Sequence, residues 1–333
     1  MYDLLFRMKQ VVIILSVLLL FGCAKQQPAH RSAEIHKAAF VADSAYQYVA
    51  EQVAFGPRII GSDAHKYCVD YLSAKLQQFG AVVSVQQGEM LDYADKQTPV
   101  ANIIGRYNPD AKNRILLAAH YDSRPWADHD ANSENHYMPI DGANDGASGV
   151  GVLLEIARQL QQINTDKGID IVFFDAEDMG APEFYTGKEK KDDWCLGSQF
   201  WAKQCKANNF DRDYQFGIVL DMIGGGDAVF PHEYFSVQYA NEYVSQIWQT
   251  AIRLGYNCYF IDEVSYPITD DHYYVNTLAG IPCVDIIHYA NPRDYGDSGF
   301  CEAWHTVNDN MQVINKNTLD VVGTTVLTYI NNL

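Results

Sequence analysis

The chain has 333 residues, 48% of them hydrophobic and 20% charged, enough to bury one large core or two smaller ones. Its formal net charge of -18 makes nucleic acid and anionic membrane surfaces poor partners. The same acidity suits a soluble surface and a site that gathers cations.

The first stretch reads as an export signal rather than as part of a fold. Lys9 precedes the apolar run 11–21, and Leu20-Phe21-Gly22-Cys23 is similar to the lipobox cleaved before a lipidated cysteine. The run is too short to span a bilayer comfortably. Residues 1–22 are therefore expected to be a lipoprotein signal peptide, Cys23 the lipidated residue and 23–33 a polar tether. Residues 34–333 would form a single catalytic α/β domain, exported to the periplasmic side and touching the membrane only through its lipid. Six further cysteines lack C-x-x-C spacing, which argues against a cysteine zinc site. Cys195 and Cys205 are close enough in sequence to pair, and burial as free thiols fits equally well.

Helical spacing of apolar residues covers 34–54 and 64–79, with Gly61-Ser62-Asp63 as turn and cap before the second. Strands are predicted over 81–85, 100–107 and 114–120, the last a continuous apolar run suited to burial on both faces. A long loop over 121–143 leads to a small-residue helix from Gly146. A strand over 169–175 and a second long loop come next. Then come a helix over 197–205, a strand over 216–222 and a long helix over 235–254. A short helix over 270–278, a strand over 282–287, a third long loop and a helix over 315–333 close the chain. This alternation predicts a three-layer α/β fold, a central, mostly parallel mixed sheet with helices on both faces. Ligands of such sheets bind at the carboxyl ends of the strands.

The acids and histidines fall at those ends: His120-Tyr-Asp122, Asn144-Asp145-Gly146, Asp175-Ala-Glu177-Asp178, Asp221, Asp270-Asp271-His272 and Trp304-His305-Thr306. Carboxylates and imidazoles gathered from several strand ends are what a zinc site needs, and a free glutamate beside a ligand can move protons. Two neighbouring carboxylates, Glu177 and Asp178, resist joint ionisation in a closed pocket unless a cation neutralises one of them. The other is then a proton shuttle. Taken singly, Asp145 is equally a helix cap, Asp270 and Asp271 suit a helix dipole, and a lone histidine is usually structural. His129, His136, His232, His272 and His288 are read as ordinary on that ground. The joint order of the others along an alternating pattern is far stronger than any one of them.

Together these segments resemble the co-catalytic zinc aminopeptidase superfamily and, within it, the animal-type glutaminyl-peptide cyclotransferases (glutaminyl cyclases), here in a bacterial lipoprotein form. The resemblance runs from residue 34 to the end of the chain. The aminopeptidase branch implies two zinc ions held by His120, Asp145, Asp178, Asp221 and His305, with Asp145 bridging and His120 at the second-metal position. The cyclase branch implies one zinc on Asp145, Asp178 and His305, with His120 and Asp122 structural. Two features favour the cyclases. Asp270 stands where aminopeptidases usually carry serine, and Trp304 precedes the last histidine. That branch implies peptides and proteins with N-terminal glutamine as substrates, Glu177 as shuttle, and Asp221 with Asp270 holding the leaving amide. Trp194, Phe300 and Trp304 would form an apolar wall, with Trp126 at the entrance, in a protein expected to be a monomer. A non-catalytic binding lipoprotein would have lost a ligand or Glu177, and none is missing. The chain departs from the animal pattern in Asp178, where they carry glutamate, in Asp285, where they carry histidine, and in the insertion 128–141.

Overall fold

The computed structural model describes residues 35–333, apart from 164, 189 and 291–298. The signal peptide, the lipidation site Cys23 and the tether lie outside the described residues. No helix among the described residues is long and apolar enough to cross a membrane.

Six strands form the main sheet: β1 (Val82–Leu91), β2 (Gln97–Tyr107), β3 (Arg114–His120), β4 (Gly168–Phe174), β5 (Tyr214–Asp221) and β8 (Cys283–Ile287). Their order is β1-β2-β4-β3-β5-β8. The β1–β2 hairpin pairs antiparallel and β2 runs antiparallel to β4, whereas β4, β3, β5 and β8 are mutually parallel. Every residue of β3 and β4 is buried, as expected for strands covered on both faces.

The two-residue period of β3 sorts the core into two layers. Ile115, Leu117 and Ala119 face α1 (Ala42–Val53), α2 (Asp63–Gln78), α3 (Ala147–Leu160), α5 (Tyr234–Arg253) and α7 (Lys316–Asn331). Leu116 and Ala118 face the other way, against α4 (Leu196–Ala207) and the π-helical turn Val275–Ala279. A three-layer sandwich results, with the carboxyl ends of the four parallel strands at one edge.

The structure differs from the sequence reading in several places. Residues 35–41 are not helical, and α1 begins at Ala42. Their amides find tertiary partners instead, Ala38 N–H donating to Thr328 Oγ1 and Val41 N–H to Glu155 Oε1. The parallel pair β6 (Phe230–His232) and β7 (Phe260–Val264) was not expected, because three residues carry too little alternation to register. Cys195 and Cys205 are both free thiols, like Cys68, Cys258, Cys283 and Cys301. Cys195 precedes α4 and Cys205 lies in its last turn, so the helical rise puts them about 15 Å apart, beyond the reach of a disulfide. The expected 270–278 helix divides into α6 (Asp271–Tyr274) and the π-helical turn.

The small residues of α3 allow it to lie close on the sheet. A Cβ on Gly149 would sit 2.2 Å from the carbonyl oxygen of Leu220 and 2.9 Å from Ala119 Cβ. Gly149→Ala therefore forces α3 off the strands that carry His120 and Asp221. It is expected to destabilise the fold by about 1–3 kcal/mol, read as a lower urea midpoint at unchanged slope.

Candidate metal centre

Each acid cluster is delivered by a strand end and then fixed by a second set of groups. After β4 the chain passes through Asp175 and then Ala176, whose φ of 55° is left-handed. Asp175 accepts hydrogen bonds from Ala101 N–H (2.8 Å) and the His65 ring (2.9 Å), which anchors the turn. Beyond it, the carboxylate of Asp122 accepts the amides of Glu177 (3.1 Å) and Asp178 (3.2 Å), one on each oxygen. The two acids are thus held from their backbones while their side chains stay available.

Asp145 precedes α3. Gly146 follows it at φ 91°, where a Cβ would meet Asp122 O and His120 Cε1 at 2.9 Å each. Only glycine fits that turn. Asp309 accepts the amides of Asn144 (2.7 Å) and Asp145 (3.0 Å) from across the site. Burial pushes the Asp309 carboxyl up to about 7. Positive φ also occurs at Met222 (47°), just after Asp221, and at His305 (54°), so three of the site's turns are unusual for residues with side chains.

His305 lies between two indoles. Trp304 stacks on it at 3.8 Å between centroids and Trp194 lies parallel at 6.0 Å. Arg124 covers the Trp194 ring and is tied to both oxygens of Asp128 (2.7 and 2.5 Å). Asp128 in turn faces His305 Nδ1 at 3.6 Å. The insertion 128–141 therefore begins with the residue that backs this imidazole.

The decisive distances involve Asp145, Asp178 and His305. His305 Nε2 is 3.1 Å from Asp178 Oδ1 and 3.6 Å from Asp145 Oδ2. Ligands about 2.1 Å from one tetrahedral zinc lie about 3.4 Å apart, so this spacing suits a shared cation. Asp145 Oδ2 and Asp178 Oδ2 are buried without a hydrogen-bond partner. Burial, followed by the nearby Asp178 charge, raises Asp145 well above the usual carboxylate range, and burial likewise raises Glu177 and Asp178. Burial lowers His305 well below the ordinary imidazole value, so it presents a neutral nitrogen. A neutral imidazole and two carboxylates, each with one buried oxygen that lacks a hydrogen-bond donor, are a chemically sound donor set for zinc.

His120 stands alongside, its Nε2 at 3.0 Å from Asp145 Oδ1 and 3.3 Å from Asp221 Oδ1. Burial disfavours its charge, but contacts with Asp122, Asp145 and Asp221 outweigh that and raise it well above the ordinary value. Its ligand atoms with those of Asp145 and Asp221 also fall within 4.8 Å of one another, so the second-metal geometry of the peptidase pattern is retained.

A cavity of about 420 Å³ opens over these groups. Asp145, Glu177, Asp178, Asp221, Asp270 and His305 line its floor, and Trp194, Phe300 and Trp304 its wall. Trp126 is not among the lining residues; it packs edge-on against Tyr93 and Phe184. Asp270 caps α6 by accepting the Asp271 amide, and its Oδ2 is buried without a hydrogen-bond partner, 4.0 Å from His272 Nδ1. Burial and then Asp221 raise its carboxyl to about 6.

Sequence reasoning missed Asp128, Asp309 and Cys195, whose Sγ is 3.1 Å from Glu177 Oε1. It also read His272 as ordinary. That imidazole is fully buried, with Nε2 at 2.8 Å from Glu233 and Nδ1 at 3.2 Å from Asp285. Asp285, one of the departures from the animal pattern, thus meets an imidazole supplied by α6. No spacing marks Asp128 or Asp309 in advance; only the His305-x-x-x-Asp309 proximity could have hinted at the latter.

Residues 102–330 match the family described as peptidase family M28, and the chain belongs to that family. Within it, the chain is similar to the glutaminyl cyclase of Bacteroides thetaiotaomicron solved with N-acetylhistamine. They share 48% identity over 90% of this chain and 100% of that one, with a TM-score of 0.85. A Zn-dependent exopeptidase from Parabacteroides distasonis matches at the same 48% identity, 90% and 100% coverage and TM-score of 0.85. The glutaminyl-peptide cyclotransferase of Boiga dendrophila is 26% identical over 270 residues, which cover 69% of this chain and 66% of that protein.

The Asp309 clamp yields a test. Asp309→Asn replaces one acceptor oxygen with a donor and frees one of the two amides that set Asp145. Zinc affinity, measured by competition with a chelator, is expected to fall about 10–100-fold with the fold retained. Unchanged affinity would mean that the clamp does not orient the ligand.

Proposed function

We propose that this protein is a zinc-dependent glutaminyl-peptide cyclotransferase that converts N-terminal glutamine of peptides and proteins to pyroglutamate with release of ammonia. The observation that carries this reading is Asp270. It is a buried carboxylate on the pocket floor beside Asp221, where the peptidase pattern has serine, and one of its oxygens has no hydrogen-bond partner. The similarity to bacterial glutaminyl cyclases over nine tenths of the chain supports it.

In this reading Asp145, Asp178 and His305 hold one zinc ion, and His120 and Asp122 are structural. A zinc ion bound there supplies Lewis acidity toward the γ-carbonyl of the substrate glutamine. The aromatic wall of Trp194, Phe300 and Trp304 confines the side chain and keeps water out, holding the α-amine against that carbonyl. Glu177 takes a proton from the attacking amine and returns it to the departing nitrogen; one shuttle serves both because the nitrogens flank a single carbon. The amine–carbonyl bond forms, the amide C–N bond breaks, and ammonia leaves without water being consumed. Asp221 and Asp270, sharing a proton between them, hold the leaving amide group. Residues 1–22 would direct export, with the protein tethered through lipidated Cys23 and working as a monomer.

A second reading, a two-zinc aminopeptidase, rests on the His120–Asp145–Asp221 set. Incubation with a glutaminyl dipeptide separates the two. Ammonia with a corresponding mass loss is expected, abolished by chelation and restored by zinc. Free glutamine as product would establish the peptidase instead. Glu177→Gln is expected to keep its zinc and lower turnover about a hundredfold or more. Parent-rate cyclisation by that variant would remove Glu177 from the shuttle role.

A further inference from the structure

The proposed shuttle has a single hydrogen bond to its carboxylate among the described residues, and it comes from a cysteine. Cys195 Sγ lies 3.1 Å from Glu177 Oε1, and Cys195 N–H donates to the Glu177 carbonyl oxygen at 2.9 Å. The next amide, Leu196 N–H, donates to the carbonyl of Ala176 at 3.0 Å. The end of β4 and the start of α4, consecutive elements joined by a long loop, are thereby zipped together at the shuttle. Cys195 has a left-handed backbone (φ 56°, ψ 40°) immediately before α4, and its thiol lies on Glu177. The side chain is fully buried, so it has no route to solvent that would compete for its proton.

We propose that Cys195 is a positioning residue for the cyclisation: its S–H donates to Oε1 of Glu177 and fixes the rotamer, leaving Oε2 as the oxygen that exchanges protons with substrate. This rests on the cyclase reading of the site. A carboxylate that moves a proton between two nitrogens must keep one oxygen near both, and a glutamate with three rotatable bonds does not do so unaided. Asp122 holds only the backbone of Glu177. The thiol supplies the missing constraint at the tip. It is a weak donor, so it steers the carboxylate without binding its charge tightly enough to quench it as a base. A buried thiol that burial and the neighbouring Glu177 keep protonated is also a durable donor.

The test compares Cys195→Ala, which removes the donor, with Cys195→Ser, which keeps one. The alanine variant is expected to lose about tenfold in kcat at unchanged KM and zinc content, and the serine variant to stay within about threefold of the parent. Alanine at parent kcat, or serine as slow as alanine, overturns the proposal. An infrared S–H stretching band supplies a readout independent of turnover. One band should vanish in Cys195→Ser and the same band should shift in Glu177→Gln; a band indifferent to Glu177→Gln also overturns it. If the parent protein releases free glutamine rather than ammonia, the cyclase reading fails, while the infrared comparison still decides whether the thiol holds Glu177.

Discussion

Too many carboxylates are buried in one place. Asp122, Asp145, Glu177, Asp178, Asp221 and Asp270 crowd the carboxyl edge of a parallel sheet, all nearly or wholly out of solvent. Two buried positive charges nearby are Arg124, tied to Asp128, and Arg58, whose guanidinium donates to the backbone carbonyls of Tyr121, Asp141 and Gly142. Left to themselves, Asp145, Glu177, Asp178 and Asp270 are pushed toward neutrality by burial and by their charged neighbours. A divalent cation held by Asp145, Asp178 and His305 would relieve that repulsion, and the three side chains are close enough together to take one.

The seat for that cation is held mostly by backbone. Asp122 grips the amides of Glu177 and Asp178, and Asp309 grips those of Asn144 and Asp145. Carboxylates that accept backbone N–H groups fix direction without consuming the donor atoms of the ligand side chains. The turns themselves depend on left-handed residues, Ala176, Met222 and His305, that persist only because surrounding structure over-determines them. Above the seat, indole faces replace water, which strengthens every charge interaction inside and suits a ring closure that consumes no water.

Much of this was legible in the order of residues. Continuous apolar runs such as 115–119 and 171–174 mark strands buried on both faces, and the residues just after each run sit at a strand end by geometry. The acids at those ends could therefore be grouped from sequence alone. Contacts between segments far apart in sequence could not be read. Asp128 and Asp309 reach the site only through folded loops, and the contact of Cys195 with Glu177 depends on a left-handed residue before α4. His272 looked ordinary because its partners, Glu233 and Asp285, come from a different helix start and a different strand. Local pattern likewise failed at 35–41, where partners on α3 and α7 override helix propensity.

Whether the protein cyclises or hydrolyses turns on how many cations this acid cluster takes. The ion positions are measured most directly by anomalous scattering at the zinc edge from crystals grown with excess zinc. One peak is expected, enclosed by Asp145 Oδ2, Asp178 and His305 Nε2, with His120 still facing Asp145 and Asp221 and bound to no ion. A second peak bridged by Asp145 and liganded by His120, or a single peak away from His305, would contradict a one-zinc cyclase.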